Sequence, residues 1–451
     1  MKDLTKGKPL PQILWFMVPI LLSSIFQQFY SVTDTIIVSH TIGDNAMAGV
    51  SSVSWITALI LNFAIGLVSG FSIFTARAFG KKDYDTVKKS FSQGIIIAVI
   101  IGAILTAVSL VYEDFFLDLI KTLPELRSYA HDYIFIGFIC LIVTILYNLC
   151  VGMLRSVGDS KFPLFVLIGA VIVNVGLDFL FITGFKWGVT GAAVATSISN
   201  FLALIVTFIY MRKKYDFFKI NFKDLIPNFK VIGSQINIGI PMAINWVLIS
   251  IGSLFVQTAT NTLGQFYAIS FSAGGKIEGF AGMALSCLGT AFAFYVSQCY
   301  GAKQYDKIKK ATFQSFILAI CYSVFAGCLI AILAKPLASI FLSDVDTYFD
   351  TAKIYIYCDC AFYCSLACIY IFRSALQSIK KQYHVYIAGF LECVIRILFY
   401  YLSVNYLGFV GVALSVGVTW SVVGIYVLIV CLVCLKKLGK KESINTDLQK
   451  I

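Results

Sequence analysis

The chain has 451 residues, of which 59% are hydrophobic and only 13% charged, and its formal net charge is +12. A soluble globular chain carries about 25% charged residues, and no polar stretch here is long enough to fold on its own in water, so a soluble enzyme, free or tethered to an anchor, is excluded. A basic surplus can mark a nucleic-acid binder, but the placement of the basic residues assigns it to membrane orientation instead.

The apolar residues fall into twelve runs, beginning with 10–38 behind the basic leader MKDLTKGKP. That first run is too long for a signal-peptide core and no small-residue cleavage site follows, so it is expected to be retained as a helix. Five more follow at 46–79, 89–112, 129–153, 162–183 and 188–212, then a polar, basic stretch at 212–231. The second half holds runs at 232–260, 266–299, 312–335, 351–373, 383–402 and 407–435. Each is near the ~20 residues that cross ~30 Å of hydrocarbon. They are continuous rather than alternating, which predicts helices and not the strands of a closed barrel. The expected fold is an all-α integral membrane protein of twelve transmembrane helices.

With the N-terminus inside, 28 of the 35 Lys and Arg lie in inner segments and 5 in outer loops, while Lys276 and Arg396 lie within helices. This bias predicts a multi-pass protein of the cytoplasmic membrane with both termini in the cytoplasm, and no nucleic-acid partner. The 13 cysteines sit almost entirely inside apolar runs and read as small packing residues. Cys358 and Cys360 bracket Asp359, but no second Cys/His pair completes a zinc site. The three histidines, His40, His131 and His384, fall near helix ends and read as interfacial.

The sequence repeats itself. GKKDYDTVKK at 80–89 returns as GAKQYDKIKK at 301–310, an offset of 221 residues. Pro19 matches Pro241, Gly43 matches Gly264, Arg155-Ser156 matches Arg373-Ser374, and the Gly188/Gly191 pair matches Gly408/Gly411. Two six-helix lobes are therefore expected, residues 1–211 and 232–451, joined by a cytoplasmic linker at 212–231 and followed by a short basic tail. An even number of spans makes them parallel repeats, an arrangement used by alternating-access transporters. A duplicated passive channel or scaffold is the alternative. Pro19 and Pro241, near the inner ends of the first and seventh helices, each remove a backbone hydrogen bond and so can bend their helices.

An ionised side chain at bilayer depth costs at least ~2.5 kcal/mol, so each one needs a reason. In the first lobe Asp34, Asn174, Asp178 and Thr196 reach a similar depth in the outer half, with Asn174 one turn from Asp178 on the same face. Two carboxylates in a low dielectric attract a proton or a hard cation, and the neutral oxygens of Asn174 and Thr196 would complete a site for Na⁺ or H⁺. The aligned second-lobe positions are apolar: Phe255 or Val256, Leu398 and Val416. Gln27 and Tyr30 share the face of Asp34 and are candidate cavity residues. The second lobe instead carries Lys276, Glu278, Asp359, Glu392 and Arg396, read either as part of a substrate cavity or as a mutually neutralising network.

No phosphate loop, H-E-x-x-H or G-x-S-x-G motif occurs. The chain is thus expected to be no enzyme, to use neither ATP nor a cofactor, and to draw energy from an ion gradient or to move substrate downhill.

With those residues in place, the sequence resembles the multidrug and toxic compound extrusion (MATE) family along essentially its whole length. The resemblance rests on Gln28-x-Tyr30-x-x-x-Asp34, the Gly80 and Gly301 loops, Asn174-x-x-x-Asp178 and the segment from Gly188 to Thr196. It implies two lobes around a V-shaped cleft and a secondary antiporter that exports small organic, often cationic and amphipathic compounds, working as a monomer. It also implies that Asp34, Asn174, Asp178 and Thr196 bind the coupling Na⁺ or H⁺. His40 departs from the glycine usual at its position in the family. Flippases of lipid-linked precursors in the wider superfamily are the nearest competing reading.

Overall fold

The structure, a computed structural model, describes residues 3–119, 124–342 and 344–439. In chain order the helices are α1 (Pro9–Ile42), α2 (Asp44–Gly80), α3 (Tyr84–Val111), α4 (Glu113–Leu119), α5 (Pro124–Ile139), α6 (Leu141–Ser156), α7 (Lys161–Asp178) and α8 (Gly188–Lys214). There follow α9 (Phe229–Leu263), α10 (Gln265–Gly301), α11 (Tyr305–Ile332), α12 (Ala334–Ser339), α13 (Val345–Ser378), α14 (Gln382–Leu402) and α15 (Gly408–Lys437). Among the described residues there is no strand.

Among the described residues, ten helical runs are long and apolar enough to span a membrane, and α5 with α6 makes an eleventh, bent by 51°. The run Gln382–Lys437 is 56 residues long, about 84 Å of helix and far more than one crossing needs. It contains α14 and α15, which a wide π turn at Ser403–Leu407 separates and which pack on each other. The expected spans are all present. The one expected at 129–153 is the bent pair, broken at Cys140. Hydropathy does not register such a bend, because the residues around it, from Ile134 to Val143, carry no charge that would interrupt the run.

The repeat is visible in backbone detail. Helices α2 and α10 each have 37 residues, and α3 and α11 each have 28. Gly43 and Gly264, which start α2 and α10, have φ of 112° and 120°, a region that only glycine enters cheaply. Lys82 and Lys303 occupy matching left-handed positions after those helices, with φ of 62° and 58°. Wide π turns follow α7 at Phe179–Gly184 and α14 at Ser403–Leu407.

By packing, the chain forms two compact units. The first comprises Met1–Asp3 with Val18–Ala243, and the second Leu4–Met17 with Ile244–Ile451. Each unit thus takes the first leg of one long helix and leaves the rest to the other, and the changeovers lie beside Pro19 in α1 and Pro241 in α9. Ser23 donates its hydroxyl to the Pro19 carbonyl at 2.8 Å.

In the first unit Phe71, Phe91, Leu67 and Leu149 are fully buried in one apolar core. The polar stretch at 212–231 does not hang free. Phe218 is buried against Phe91, with ring centroids 5.1 Å apart. Gln93 of α3 donates to the carbonyls of Asp224 and Ile226 and accepts from the Asn228 N–H. Gln235 donates to the Ser90 carbonyl at 2.9 Å, and Lys88 pairs with Asp224 at 2.8 Å. In the preceding α6–α7 turn, burial would push the Asp159 carboxyl up. The hydroxyls of Tyr215 and Tyr210, the Phe162 N–H and Lys214 outweigh burial and hold it below the usual range.

In the second unit α13 is the central helix and packs on α10, α11 and α15. Tyr295 and Tyr355 are among its largest buried side chains. The Leu4–Met17 leg docks through the Leu4 N–H to Gln298 Oε1 at 3.1 Å and through Phe16 against Phe294 at 5.9 Å.

Glycines let two helices of the first unit meet backbone to backbone. A Cβ added to Gly70 of α2 would lie 2.4 Å from Gly239 Cα of α9, backbone against backbone, whereas one added to Gly169 of α7 meets nothing within 4 Å. Backbones that touch cannot yield as a flexible side chain does. Gly70→Val is expected to destabilise by at least about 1–3 kcal/mol. Gly169→Ala should be neutral or slightly stabilising. Thermal unfolding of the two variants in detergent checks the contrast.

Candidate functional site

The polar residues of the first unit converge from four helices. Tyr30 and Asp34 come from α1, Asn174 and Asp178 from the last turns of α7, Thr196 from the early turns of α8, and Tyr133 from α5. Asn174 and Asp178 are one turn apart and buried, at 1% and 0% exposure. The Tyr30 hydroxyl and Thr196 Oγ1 are 3.0 Å apart. With the Asn174 amide oriented to satisfy both its ends, Nδ2 donates to Asp178 Oδ2 at 3.0 Å and Oδ1 accepts from the Thr196 N–H at 3.2 Å.

Asp34 and Asp178 act on each other electrostatically, and both act on Tyr30 and Tyr133. Neither carboxylate forms an ion pair with a described residue, and the Oδ1 of each is buried without a hydrogen-bond partner. Two facing acids with no counter-charge and free oxygen lone pairs form a chemical environment for a small hard cation or a proton. Among the described residues no group of three or more His, Cys, Asp or Glu forms a metal cluster. A cation here would therefore be held by two carboxylates and the neutral oxygens beside them. Of the residues named from sequence, five meet. Gln27, two turns from Asp34, is exposed and makes no hydrogen bond with a described residue. Tyr133 was not expected, because the 51° bend between α5 and α6 is what the hydropathy pattern omits.

The aligned positions of the second unit are apolar in place as well as in type. Phe255 packs edge-on against Tyr400, Val256 and Val416 are buried, and Leu398 is exposed. This unit's charges lie elsewhere. Arg396 NH2 bonds Glu392 Oε1 at 3.2 Å within α14, its NH1 donates to Ser253 Oγ of α9, and Gly252 leaves room for its side chain. Glu278 of α10 accepts from the Tyr355 hydroxyl at 2.6 Å. Asp359, buried on α13, acts on Glu278 electrostatically.

Lys276 does not belong to this set. It is exposed, with its ammonium 5.3 Å from the Phe341 ring centre, because it lies two residues from Glu278 and so on another face of α10. The second base of the cluster is instead Arg373, whose NH1 is 3.6 Å from Glu392 Oε2. Its position near the C-terminal end of α13 groups it, in the sequence reading, with the basic residues expected on the cytoplasmic side. Glu278, Glu392, Arg396 and Arg373 all line one cavity of about 410 Å³ within the second unit.

Apolar helices built twice over, with ionisable groups kept at membrane depth, define a multi-pass membrane transporter. The MatE profile matches residues 19–180 and again 241–402, once in each repeat, and the chain belongs to the MatE family. It is 26% identical over 346 residues to the probable multidrug resistance protein YoeA of Bacillus subtilis, covering 75% of each chain. It is 23% identical to the probable multidrug resistance protein YpnP of the same organism, over 93% of this chain and 94% of that one. The structure of a MOP superfamily transporter from Pyrococcus furiosus matches with a TM-score of 0.90 over 97% of this chain and 98% of that one, at 21% identity. At that identity the likeness establishes the fold.

Removing one partner of a buried ion pair strands the other. Glu392→Ala, which leaves Arg396 and Arg373 with no acid between them, is therefore expected to destabilise by about 3–5 kcal/mol, and Arg396→Ala, after which Glu392 keeps Arg373, by much less. Lys276→Ala should leave the unfolding midpoint unchanged. Thermal and denaturant unfolding in detergent reads all three.

Proposed function

We propose that this protein is a secondary antiporter of the cytoplasmic membrane that exports small organic compounds, cationic and amphipathic ones among them, in exchange for inflowing Na⁺ or H⁺. Both termini face the cytoplasm on this reading, in keeping with the 28 to 5 division of basic residues. The names of its relatives YoeA and YpnP support export of drug-like compounds.

The observation that carries the proposal is the pair Asp34 and Asp178 of the first unit, each with a buried oxygen that no described residue satisfies. An external cation or proton binds there, with Asn174, Thr196 and Tyr30 supplying neutral oxygens. Coupling then requires only that ion and cargo prefer different states of the transporter. The ion lowers affinity for cargo in the outward-open state, cargo leaves, and the loaded site returns inward. By linkage the cargo must weaken the ion to the same degree. No phosphate-binding loop is involved, and the chain works as a monomer.

Asp34→Asn and Asp178→Asn keep shape and hydrogen bonding but remove the charge. In proteoliposomes loaded with ethidium, each is expected to reduce gradient-driven efflux to the level of protein-free vesicles while membrane insertion persists. Imposing sodium and pH gradients separately identifies the driving ion as the one whose gradient moves dye. Undiminished uphill efflux by the double variant would overturn the proposal.

A further inference from the structure

The cavity of the second unit is lined by a ladder of alternating charge. Glu278 faces Arg396 electrostatically, Arg396 bonds Glu392 at 3.2 Å, and Glu392 lies 3.6 Å from Arg373. The inner rungs neutralise each other. The two ends do not. Arg373 has five donors and, among the described residues, no hydrogen-bond partner; its ion pair with Glu392 is too long for one, and its guanidinium carbon lies 6.0 Å from the Tyr370 ring centre. Its side chain is only 14% exposed, so bulk water cannot serve all five. Arg396, 8% exposed, has an unbonded Nε, and Glu392 an unbonded Oε2. At the other end Glu278 uses Oε2 for Tyr355, and its Oε1 has no hydrogen-bond partner among the described residues.

We infer that this cavity binds a small zwitterion, with its carboxylate on Arg373 and its ammonium on Glu278. An isolated cation entering the cavity meets two fixed guanidinium groups, and an isolated anion meets Glu392, Glu278 and the nearby Asp359. A ligand bearing both charges satisfies both ends at once, and a planar guanidinium favours a carboxylate. Arg396 and Glu392 stand between Glu278 and Arg373 in the ladder, and the stretch of α10 that lines the cavity runs from Glu278 to Ser286, about 12 Å along its axis. The ligand's charges must therefore sit several bonds apart, as in a short peptide, rather than on one carbon. A cavity of about 410 Å³ is at the small end of ligand sites. The rings of Trp246, Tyr370 and Trp420 offer its walls to an apolar side chain.

This names a substrate class for the export reading and rests on that reading only for the direction of movement. Isothermal titration calorimetry on the purified protein in detergent, with no gradient, tests the binding. The probes are glycyl-glycyl-phenylalanine, its methyl ester, its N-acetyl derivative and free phenylalanine. The free tripeptide is expected to bind about tenfold or more tightly than each of the others. Arg373→Gln should bring it down to the level of its ester, and Glu278→Gln down to the level of its N-acetyl form. If either variant fails to fold, the ranking of the four probes on the unaltered protein decides alone. An ester that binds as tightly as the free tripeptide, or no tripeptide binding at millimolar concentration, overturns the inference. Tripeptide binding without dye export would sink the antiporter reading and keep this one.

Discussion

Hydrocarbon offers no water to a charge, and that constraint organises this molecule. An ionised group at membrane depth must be paired, or must be there because something arrives to pair it. The two units answer the demand in opposite ways. The first keeps Asp34 and Asp178 without a basic partner among the described residues, beside the neutral groups of Asn174, Thr196 and Tyr30. The second places Glu392 between Arg396 and Arg373 and spreads its acids along a cavity wall. On the proposed reading, a lone acid pair receives a single positive ion. A ladder of opposite charges suits a larger polar guest.

The duplication separates what the backbone requires from what the site requires. The turn glycines Gly43 and Gly264, the left-handed lysines Lys82 and Lys303, and the π turns after α7 and α14 persist in both halves because each solves a geometric problem that both share. The polar clusters do not persist. Where the first unit has Asp178 and Thr196, the second has Leu398 and Val416. A common scaffold has been kept while its chemistry diverged.

Much of this was legible beforehand. Span positions follow from hydropathy, the repeat from the paired loops, and the Asp34 cluster from matched depth plus the one-turn spacing of Asn174 and Asp178. What escaped did so for physical reasons. The bend at Cys140 has no proline to announce it, and Tyr133 reaches the cluster from the leg before that bend. Depth along a helix says nothing of rotation about it, so Lys276 was grouped with Glu278 although it faces away. Arg373 was hidden among the inner basic residues. The folded state of 212–231 had a signal that composition obscured: Gln93 and Gln235, inside apolar helices, had to find partners, and Gln93 found them in this stretch.

The exchanged first legs bear on how the chain is made. Leu4 leaves the ribosome 294 positions ahead of its partner Gln298, and Thr5 waits 302 for Lys307. Most of the polypeptide must be synthesised and inserted before that opening segment can dock. The first unit, by contrast, is complete once the early turns of α9 have emerged, since its last residue is Ala243. Biogenesis therefore runs in two stages of unequal independence. A nascent chain stalled midway would hold a finished first unit and an orphaned leader, a natural handle for insertion chaperones or quality-control proteases.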